Sequence, residues 1–291
     1  MGPRPACVVF TDVDGCLVDH TTYSFREAAA ALDRLRDRGI PLVLCSSKTR
    51  AEVERLQQEL GTSGPFVTEN GGALFVPPGH FPFALPGARE TAGYQVIDLG
   101  RPYAEVVAAL RDCARAAGVR VVGFGDQAVT EVAADTGLSL PAARLAKLRE
   151  YDEPFRIVEG DPAQRARMFR ALSAAGFRTT EGGRYHHVGG PTDKGVAVGL
   201  LLRFYRWAHG QFVSVGLGDG LNDVPFLRLV DLAFVVANPS SGATARVARQ
   251  VPSARVTTAA GPAGWHEAMS GILGHGAGAA PVADPGRRSV A

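Results

Sequence analysis

The stretch Val8-Val9-Phe10-Thr11-Asp12-Val13-Asp14-Gly15 decides the fold class and points to the chemistry. Its apolar run is typical of a buried strand, and two carboxylates separated by one residue follow that run. Because side chains alternate along an extended backbone, Asp12 and Asp14 should lie on the same side, and Gly15 allows a sharp turn. Two converging carboxylates predict a site for a hard cation such as Mg²⁺, and one of them can act as a nucleophile. Calcium loops and ordinary acidic turns share the D-x-D-G pattern.

The composition is that of an ordinary globular protein. The chain has 291 residues, of which 46% are hydrophobic and 21% charged, and its net charge is +2. Two domains are expected at this length, and the scattered arginines give no support to nucleic-acid binding. The core strand near the N-terminus predicts that there is no signal peptide, and no apolar run is long enough to span a bilayer. We expect a cytoplasmic protein, a monomer or homodimer, that binds a small molecule and neither nucleic acid nor a membrane.

The alternation of strand-like runs with amphipathic helical stretches predicts an α/β fold with a Rossmann-like, doubly wound parallel sheet. This pattern covers residues 1–84 and returns at 190–274, so the two segments should form one core domain. Residues 85–189 have shorter strands and predict an inserted α+β cap that sets specificity, with Tyr94–Leu99 as its first strand. Residues 275–291 are rich in Gly, Ala, Pro and Arg and predict a disordered tail.

Two further polar clusters lie at predicted helix starts. Ser46-Ser47-Lys48-Thr49 follows the apolar run Pro41–Cys45, and hydroxyls with backbone amides at a helix N-terminus favour an anion. Helix capping by Ser46 or Ser47 is the alternative explanation. Lys194 lies in the first turn of another helix, where the helix dipole disfavours a cation. A lysine at this position predicts an anion that binds both the lysine and the helix N-terminus. The alternative is a solvated surface lysine.

The sequence Gly218-Asp219-Gly220-Leu221-Asn222-Asp223 follows the strand-like run Phe212–Leu217. Asp219 and Asp223 are one helical turn apart, so both carboxylates can face the same point, although acidic residues also cap helices. Ligands of open α/β sheets bind outside the carboxyl ends of the strands. All four clusters are therefore expected to meet at one site.

These residues resemble a known family. Asp12-x-Asp14-Gly15, Ser46, Lys194 and Gly218-Asp219-x-x-Asn222-Asp223 are similar to the four motifs of the haloacid dehalogenase superfamily of phosphohydrolases. The insertion between the second and third motifs resembles the subclass that has a large α/β cap. Strings at 46–50, 69–72, 149–153 and 183–187 resemble the mannosyl-3-phosphoglycerate phosphatase family more narrowly. Cys16 departs from the pattern, because the family usually has Thr after D-x-D-G.

The resemblance implies a magnesium-dependent phosphatase that works through a phosphoaspartyl intermediate. Asp12 would be the nucleophile and Asp14 the general acid and base, while Ser46 and Lys194 would hold the phosphoryl oxygens. The implied metal-site residues are Asp12, Asp14 through its backbone carbonyl, Asp219, and Asp223, which would hold metal-bound waters or orient Lys194.

Substrate-binding residues are expected in the less specific segments, and they are Ser47, Lys48, Glu69, Asn70, Gly71, Gly72, Arg149, Tyr151, Asp152, Glu153, His187 and Asn222. Loop 69–72 offers exposed amides or forms a tight turn. Residues 149–153 combine a cation, a ring and carboxylates, which suits a sugar with an acidic arm, although a solvated helix end is the alternative. Because neighbours on a strand face opposite sides, at most one of His186 and His187 should reach the cleft.

The implied reaction is hydrolysis of mannosyl-3-phosphoglycerate to mannosylglycerate, a compatible solute, and phosphate. The glucosyl ester, a broad range of sugar phosphates and a phosphomutase reaction remain alternatives within the same superfamily. A non-catalytic sensor of phosphorylated ligands is a further alternative, which the retention of every acid and of the lysine disfavours.

Overall fold

The computed structural model describes residues 7–182, 185–239 and 242–274. The predicted tail at 275–291 and the Gly183-Arg184 pair of the last family-like string lie outside the described residues. The strands of these ranges are β1 (Cys7–Thr11), β2 (Leu42–Cys45), β3 (Phe66–Thr68), β4 (Ala73–Val76), β5 (Arg89–Thr91), β6 (Tyr94–Asp98), β7 (Arg120–Gly123), β8 (Asp152–Glu159), β9 (Arg178–Gly182), β10 (Tyr185–Gly189), β11 (Val213–Gly218), β12 (Leu232–Ala237) and β13 (Arg255–Ala260).

The helices complete the alternation that the sequence predicts. They are α1 (Ala29–Asp37), α2 (Arg50–Leu60), α3 (Tyr103–Ala117), α4 (Val129–Thr136), α5 (Leu140–Ala146), α6 (Pro162–Ala174), α7 (Lys194–His209), α8 (Val224–Leu227), α9 (Thr244–Gln250) and α10 (Gly261–Gly274). Local signals set their ends, as α2 illustrates. Thr49 and Glu52 form a capping box at its start, and Gly61 ends it in the left-handed conformation.

The larger sheet has nine strands in the order β13-β12-β11-β1-β2-β3-β4-β6-β5. The strands from β13 to β3 are parallel, whereas β4, β6 and β5 pair antiparallel. Helices α1, α2 and α10 cover one face of the sheet, and α7, α8 and α9 cover the other. β1 is covered by helices on both faces and is buried along its whole length. A strand in such a position needs a continuous apolar run, as the sequence of β1 has. The predicted α/β fold is confirmed.

Residues 103–189, called the inserted unit below, form a four-stranded antiparallel sheet in the order β7-β8-β10-β9. Helices α3 and α6 pack on it through an apolar cluster that includes Leu110, Phe155 and Met168. A smaller cluster beneath α4 and α5 contains Phe124 and Val132. The unit therefore has its own hydrophobic core.

The structure corrects the predicted start of the insertion at residue 85. The strand predicted at Tyr94–Leu99 is β6, which pairs with β4 and so extends the larger sheet, with β5 at its edge. Val96 and Ile97 pack into the apolar clusters on opposite faces of that sheet. A strand's own residues do not identify its partner, because any exposed sheet edge offers the same backbone groups.

Candidate active site

Asp12 follows β1 directly and is held by groups from two neighbouring elements. Its amide donates to the Leu217 carbonyl of β11 at 2.8 Å. The Thr11 hydroxyl donates to the Asp12 carbonyl at 2.7 Å and accepts from the Trp265 indole of α10 at 3.0 Å. Gly15 has a φ of 79°, and a Cβ there would lie 2.8 Å from Asp219 Oδ2. The turn after Asp14 therefore requires glycine.

Lys194 is fully buried and reaches Asp12, the predicted nucleophile. Asp193 caps α7 by accepting from the Val196 amide at 3.0 Å, which places Lys194 in the first turn. Its Nζ lies 2.5 Å from Asp12 Oδ1 and 2.6 Å from Asp223 Oδ1. Burial alone would lower the pKa of Lys194, but the two carboxylates raise it above its usual range. The alternative of a solvated surface lysine is wrong.

Asp12, Lys194, Asp219 and Asp223, called the nucleophile cluster below, bring the motifs together. Carboxylate oxygens of the three aspartates lie within 4.8 Å of one another. Asp223 Oδ2 accepts from the amides of Asp219 at 3.0 Å and Gly220 at 2.9 Å, while its Oδ1 contacts Lys194. Both oxygens of Asp223 are thus engaged, and of its two predicted roles its contacts favour the orientation of Lys194.

The nucleophile cluster carries more negative than positive charge. Burial raises the pKa of Asp12 well above its ordinary value, and the charge of Asp223 adds to this effect. Burial and Asp223 likewise raise the pKa of Asp219 to about 7. A buried set of hard oxygen donors with excess negative charge suits a divalent cation such as Mg²⁺. The residues present therefore fit the expected metal.

The loop after β2 begins with Ser46 and places Lys48 beside Asp14. The buried Ser46 hydroxyl accepts from the Lys48 amide at 3.1 Å. Lys48 Nζ lies 2.9 Å from Asp14 Oδ1 and 5.1 Å from the centre of the Tyr23 ring. Burial lowers the pKa of Lys48, but Asp14 and Glu52 outweigh burial and raise it. Lys48 is thus a charged partner of Asp14.

Loop 69–72, called the junction loop below, does not offer exposed amides as predicted. The amides of Glu69, Asn70 and Gly72 donate to backbone carbonyls. Glu69 and Asn70 have left-handed φ angles of 48° and 58°, which give the loop a sharp turn. The Glu69 carboxylate instead accepts from the amides of residues 150, 151 and 152 at 2.8–3.1 Å. Glu69 therefore joins the inserted unit to the larger sheet.

The glycines of the junction loop are required by close packing. A Cβ on Gly71 would lie 2.2 Å from the Asp193 carbonyl oxygen, and a Cβ on Gly72 would lie 2.4 Å from Tyr151 Cβ. The Gly72 carbonyl accepts from the amides of Leu99 and Gly100, and the Gly71 carbonyl accepts from Thr192 Oγ1. The two chain segments that lead into and out of the inserted unit, at 99–100 and 192–193, therefore both contact this loop, as does Tyr151 of the unit itself.

Arg149 and Asp152 are buried in an ion pair and do not face open solvent. Their side chains are 4% and 3% exposed, with 2.6 Å between Arg149 Nη2 and Asp152 Oδ1. Arg149 also donates to the Ser47 carbonyl at 2.8 Å. Asp152 Oδ2 accepts from Asn70 Nδ2 at 3.0 Å and lies 2.9 Å from His187 Nδ1. These residues are called the Asp152 cluster below (Asn70, Arg149, Asp152, His187), and three of them, Asn70, Asp152 and His187, also line a cleft.

Tyr151 and Glu153 are also engaged within the protein. The Tyr151 hydroxyl donates to Asp98 and accepts from Arg89, next to the outer strands of the larger sheet. Glu153, 1% exposed, accepts from the Gly125 amide at 2.8 Å and from the Tyr103 hydroxyl at 2.7 Å. Asp152 and Glu153 are consecutive residues of β8, so their side chains face opposite sides of the strand, and both are buried. The ring and the carboxylates thus have partners within the protein, while Tyr151 and Asp152 also line the cleft described next, so their contact with a sugar stays a prediction.

A cleft of about 80 Å³ separates the larger sheet from β9 and β10. Asn70 and Asn222 line it from the sheet side, and Asn222 Nδ2 donates to Asn70 Oδ1 at 3.1 Å. His187 lines it from the inserted unit, whereas His186 packs against the rings of Phe155 and Phe169. The expectation that only one of the two histidines reaches the cleft is confirmed.

Sequence reasoning missed Asn238. Its Nδ2 donates to Asp219 Oδ2 at 2.5 Å, and the residue follows β12. The rule that ligands lie beyond the carboxyl ends of parallel strands would have found it, had it been applied to this strand. Arg178 and Thr180 of β9 also line the cleft and were not predicted, because nothing in their sequence separates them from ordinary strand residues.

Within the described ranges, no helix combines the length and apolar character that crossing a membrane requires.

Comparisons with known proteins agree with this geometry. A family model described as haloacid dehalogenase-like hydrolase matches residues 9–77. The chain is 42% identical over 272 residues to the glucosyl-3-phosphoglycerate/mannosyl-3-phosphoglycerate phosphatase of Methanococcoides burtonii, with coverage of 92% of this chain and 97% of the relative. It is 35% identical over 231 residues to the mannosyl-3-phosphoglycerate phosphatase of Pyrococcus horikoshii, with coverage of 79% and 90%. A phosphatase of the HAD enzyme superfamily from Bacteroides thetaiotaomicron shares the fold, with a TM-score of 0.64, 17% identity and coverage of 94% and 98%.

Proposed function

The chain belongs to the haloacid dehalogenase-like hydrolases, among the phosphatases of glucosyl-3-phosphoglycerate and mannosyl-3-phosphoglycerate, and on this premise we propose that it hydrolyses both esters. The products are phosphate and the glycosylglycerate. The observation that carries the proposal is the buried contact of Lys194 with Asp12 and Asp223, which joins three motifs at one sheet edge. Both sugars are proposed because the 42% identical relative carries both names.

The reaction proceeds in two steps on the residues described. In the first, an Asp12 carboxylate oxygen attacks phosphorus, the ester P–O bond breaks, and Asp14 gives its proton to the leaving oxygen. In the second, Asp14 takes a proton from water, the water oxygen attacks phosphorus, and the Asp12–phosphorus bond breaks. Lys194 and Ser46 stabilise the charge that spreads over the phosphoryl oxygens.

Asp12, Asp219 and the backbone carbonyl of Asp14 would hold Mg²⁺, with Asn238 orienting Asp219. The ion supplies charge neutralisation between the anionic nucleophile and the anionic phosphate. Asp223 keeps Lys194 in place through its Oδ1 contact. These assignments rest on the excess negative charge of the nucleophile cluster.

The inserted unit is proposed to act as a cap that excludes water during the first step and opens to release product. Two contacts support this role. Thr49 Oγ1 donates to the Leu145 carbonyl at 2.9 Å, and Arg149 donates to the Ser47 carbonyl. Both connect the unit to the loop that carries Ser46.

A phosphate-release assay tests the proposal. We would compare mannosyl-3-phosphoglycerate, glucosyl-3-phosphoglycerate, 3-phosphoglycerate, mannose 6-phosphate and 4-nitrophenyl phosphate, each with Mg²⁺ and with EDTA. The expected result is magnesium-dependent release that is fastest with the two glycosyl esters, and Asp12→Asn serves as the inactive control. Equal rates on all esters would indicate a broad sugar phosphatase. An isomerised sugar phosphate without free phosphate would indicate a mutase, and ligand binding without turnover would indicate a sensor.

A further inference from the structure

A second cavity, called the groove below, is lined by a different set of residues from the cleft. Its volume is about 270 Å³, against about 80 Å³ for the cleft. The groove opens between α2 of the larger unit and the α4–α5 segment of the inserted unit. The residues that matter for its chemistry are Tyr23, Lys48, Glu52, Glu59, Leu138 and Ala142.

The position of Asp14 favours the groove as the leaving-group site. The general acid must lie beside the oxygen that departs, because proton transfer needs hydrogen-bond contact. Asp14 Oδ1 lies 2.9 Å from Lys48 Nζ, and Lys48 lines the groove. Asp14 is among the lining residues of neither cavity, but its partner Lys48 lines the groove and is not among the residues that line the cleft.

The sizes of the two cavities point the same way. Pockets for organic ligands have volumes of about 300–1,000 Å³. The groove is near the lower end of that range, whereas the cleft is several times too small for a sugar joined to glycerate. A leaving group of that size therefore fits the groove better.

Tyr23 gives the groove a fixed aromatic wall. Its backbone has a left-handed φ of 56°, a strained conformation for a bulky residue, and such strain tends to occur at functional sites. Asp19 Oδ1 fixes the loop by accepting from the amides of Thr21 and Thr22. The Tyr23 ring is thereby held against the Lys48 ammonium. A ring next to a cation can contact a sugar face and a carboxylate at the same time.

We propose that the groove binds the glycosylglycerate part of the ester, an inference that rests on the function proposed above. The glycerate carboxylate pairs with Lys48, the sugar packs against Tyr23 and Leu138, and the half-exposed Glu59 accepts a sugar hydroxyl. The Glu52 carboxylate stays in the cap of α2. The phosphate then lies at Asp12 with its ester oxygen towards Asp14.

Two matched substitutions test the proposal by filling one cavity each. Ala142→Trp occupies the groove, and Thr180→Trp occupies the cleft. We would measure kcat/KM for mannosyl-3-phosphoglycerate and for 4-nitrophenyl phosphate, and inhibition by the product mannosylglycerate. The expected result for Ala142→Trp is a loss on the mannosyl ester at least tenfold larger than on 4-nitrophenyl phosphate, with product inhibition weakened to a similar degree. Thr180→Trp should change the ratio of the two kcat/KM values less than threefold.

Tyr23→Ala gives a second reading of the same site if the tryptophan variant does not fold, and it should raise KM for the mannosyl ester about tenfold. Arg115→Ala, on the outer surface of α3, is a control for the effect of an unrelated surface substitution, and its kcat/KM values should match those of the wild type. An equal loss on both esters in the groove variants, or a larger ratio change in Thr180→Trp, would overturn the proposal. A wild-type enzyme that shows no preference for glycosyl esters would instead refute the proposed function.

Discussion

The nucleophile cluster and the Asp152 cluster both bury carboxylates, but their charges are balanced differently. In the nucleophile cluster, burial raises the pKa values of Asp12 and Asp219, because one lysine faces three aspartates. In the Asp152 cluster, burial is opposed by Arg149, His187 and the Asn70 amide, and together they lower the pKa of Asp152 below its ordinary value. The first cluster lacks positive charge, whereas the second is neutralised by its own side chains.

This difference separates chemistry from architecture. Carboxylates buried without enough positive charge repel one another, and a bound cation removes this repulsion. Such a site can therefore bind a metal ion and, through the metal ion, an anionic phosphate ester. A buried cluster whose charges pair with one another has little need of an added cation, and its contacts hold segments together. Charged residues close in the sequence to a family-like motif can therefore belong to either type.

The largest effect is expected for Asp12→Asn, which removes the nucleophile. The value of kcat should fall by about 10⁴-fold or more, because no other group forms the covalent intermediate. The free energy of unfolding should not fall, since the substitution removes one of three like charges. Phosphate release and urea unfolding would be measured on the same preparation. A large loss of stability would show that the positive and negative charges of the nucleophile cluster are balanced, contrary to our interpretation.

Arg149→Ala should reduce the free energy of unfolding by about 3–5 kcal/mol, because it leaves the buried Asp152 charge without its main partner. Arg115→Ala is a matched control. Arg115 pairs with Asp112 at the same three-residue spacing, but the side chains are 78% and 71% exposed. The control should lose less than about 1 kcal/mol. Similar losses in the two variants would remove the basis for treating the Asp152 cluster as structural.

Glu69→Gln should change the pH dependence of stability. Burial raises the pKa of Glu69 from 4.5 to about 7. Between these values the folded protein binds the proton more tightly than the unfolded chain, so stability falls as the pH rises, by at most about 1.4 kcal/mol per unit. Without this group, unfolding free energies at about pH 5 and pH 7 should differ less. The exposed Glu159→Gln is the control, and an unchanged slope in Glu69→Gln would contradict the prediction.

The smallest effect is expected for Asp219→Asn in EDTA. Removing a like charge from the nucleophile cluster should raise the free energy of unfolding by about 1 kcal/mol, the usual gain when a strained functional site is relaxed. Added Mg²⁺ should stabilise the wild type and not the variant, because only the wild type keeps the metal ligand. Thermal unfolding with and without Mg²⁺ measures both effects. A variant that responds to Mg²⁺ as the wild type does would place the metal elsewhere.

The sequence predicted the nucleophile cluster well because its residues follow parallel strands, and the sheet brings strand ends together whatever the rest of the chain does. It failed at residues 149–153 because burial of a charged side chain depends on distant partners. Glu69 and Asn70, about 80 positions away, supply those partners. The partner of β6 was missed because a strand's own residues do not identify its neighbour, whereas Asn238 was missed because the strand-end rule was not applied to β12.

The pairing of β1 with β11 has a consequence for the order in which the chain folds. These strands are about 200 residues apart, and the entropy lost in closing so long a loop must be met before their contacts form. The inserted unit has contacts of much shorter range and should fold first, which shortens the loop that remains. Asp12 and Asp219 then meet only when the last strands join. The acid cluster, and with it hydrolytic competence, therefore depends on the pairing of two strands from opposite ends of the sequence.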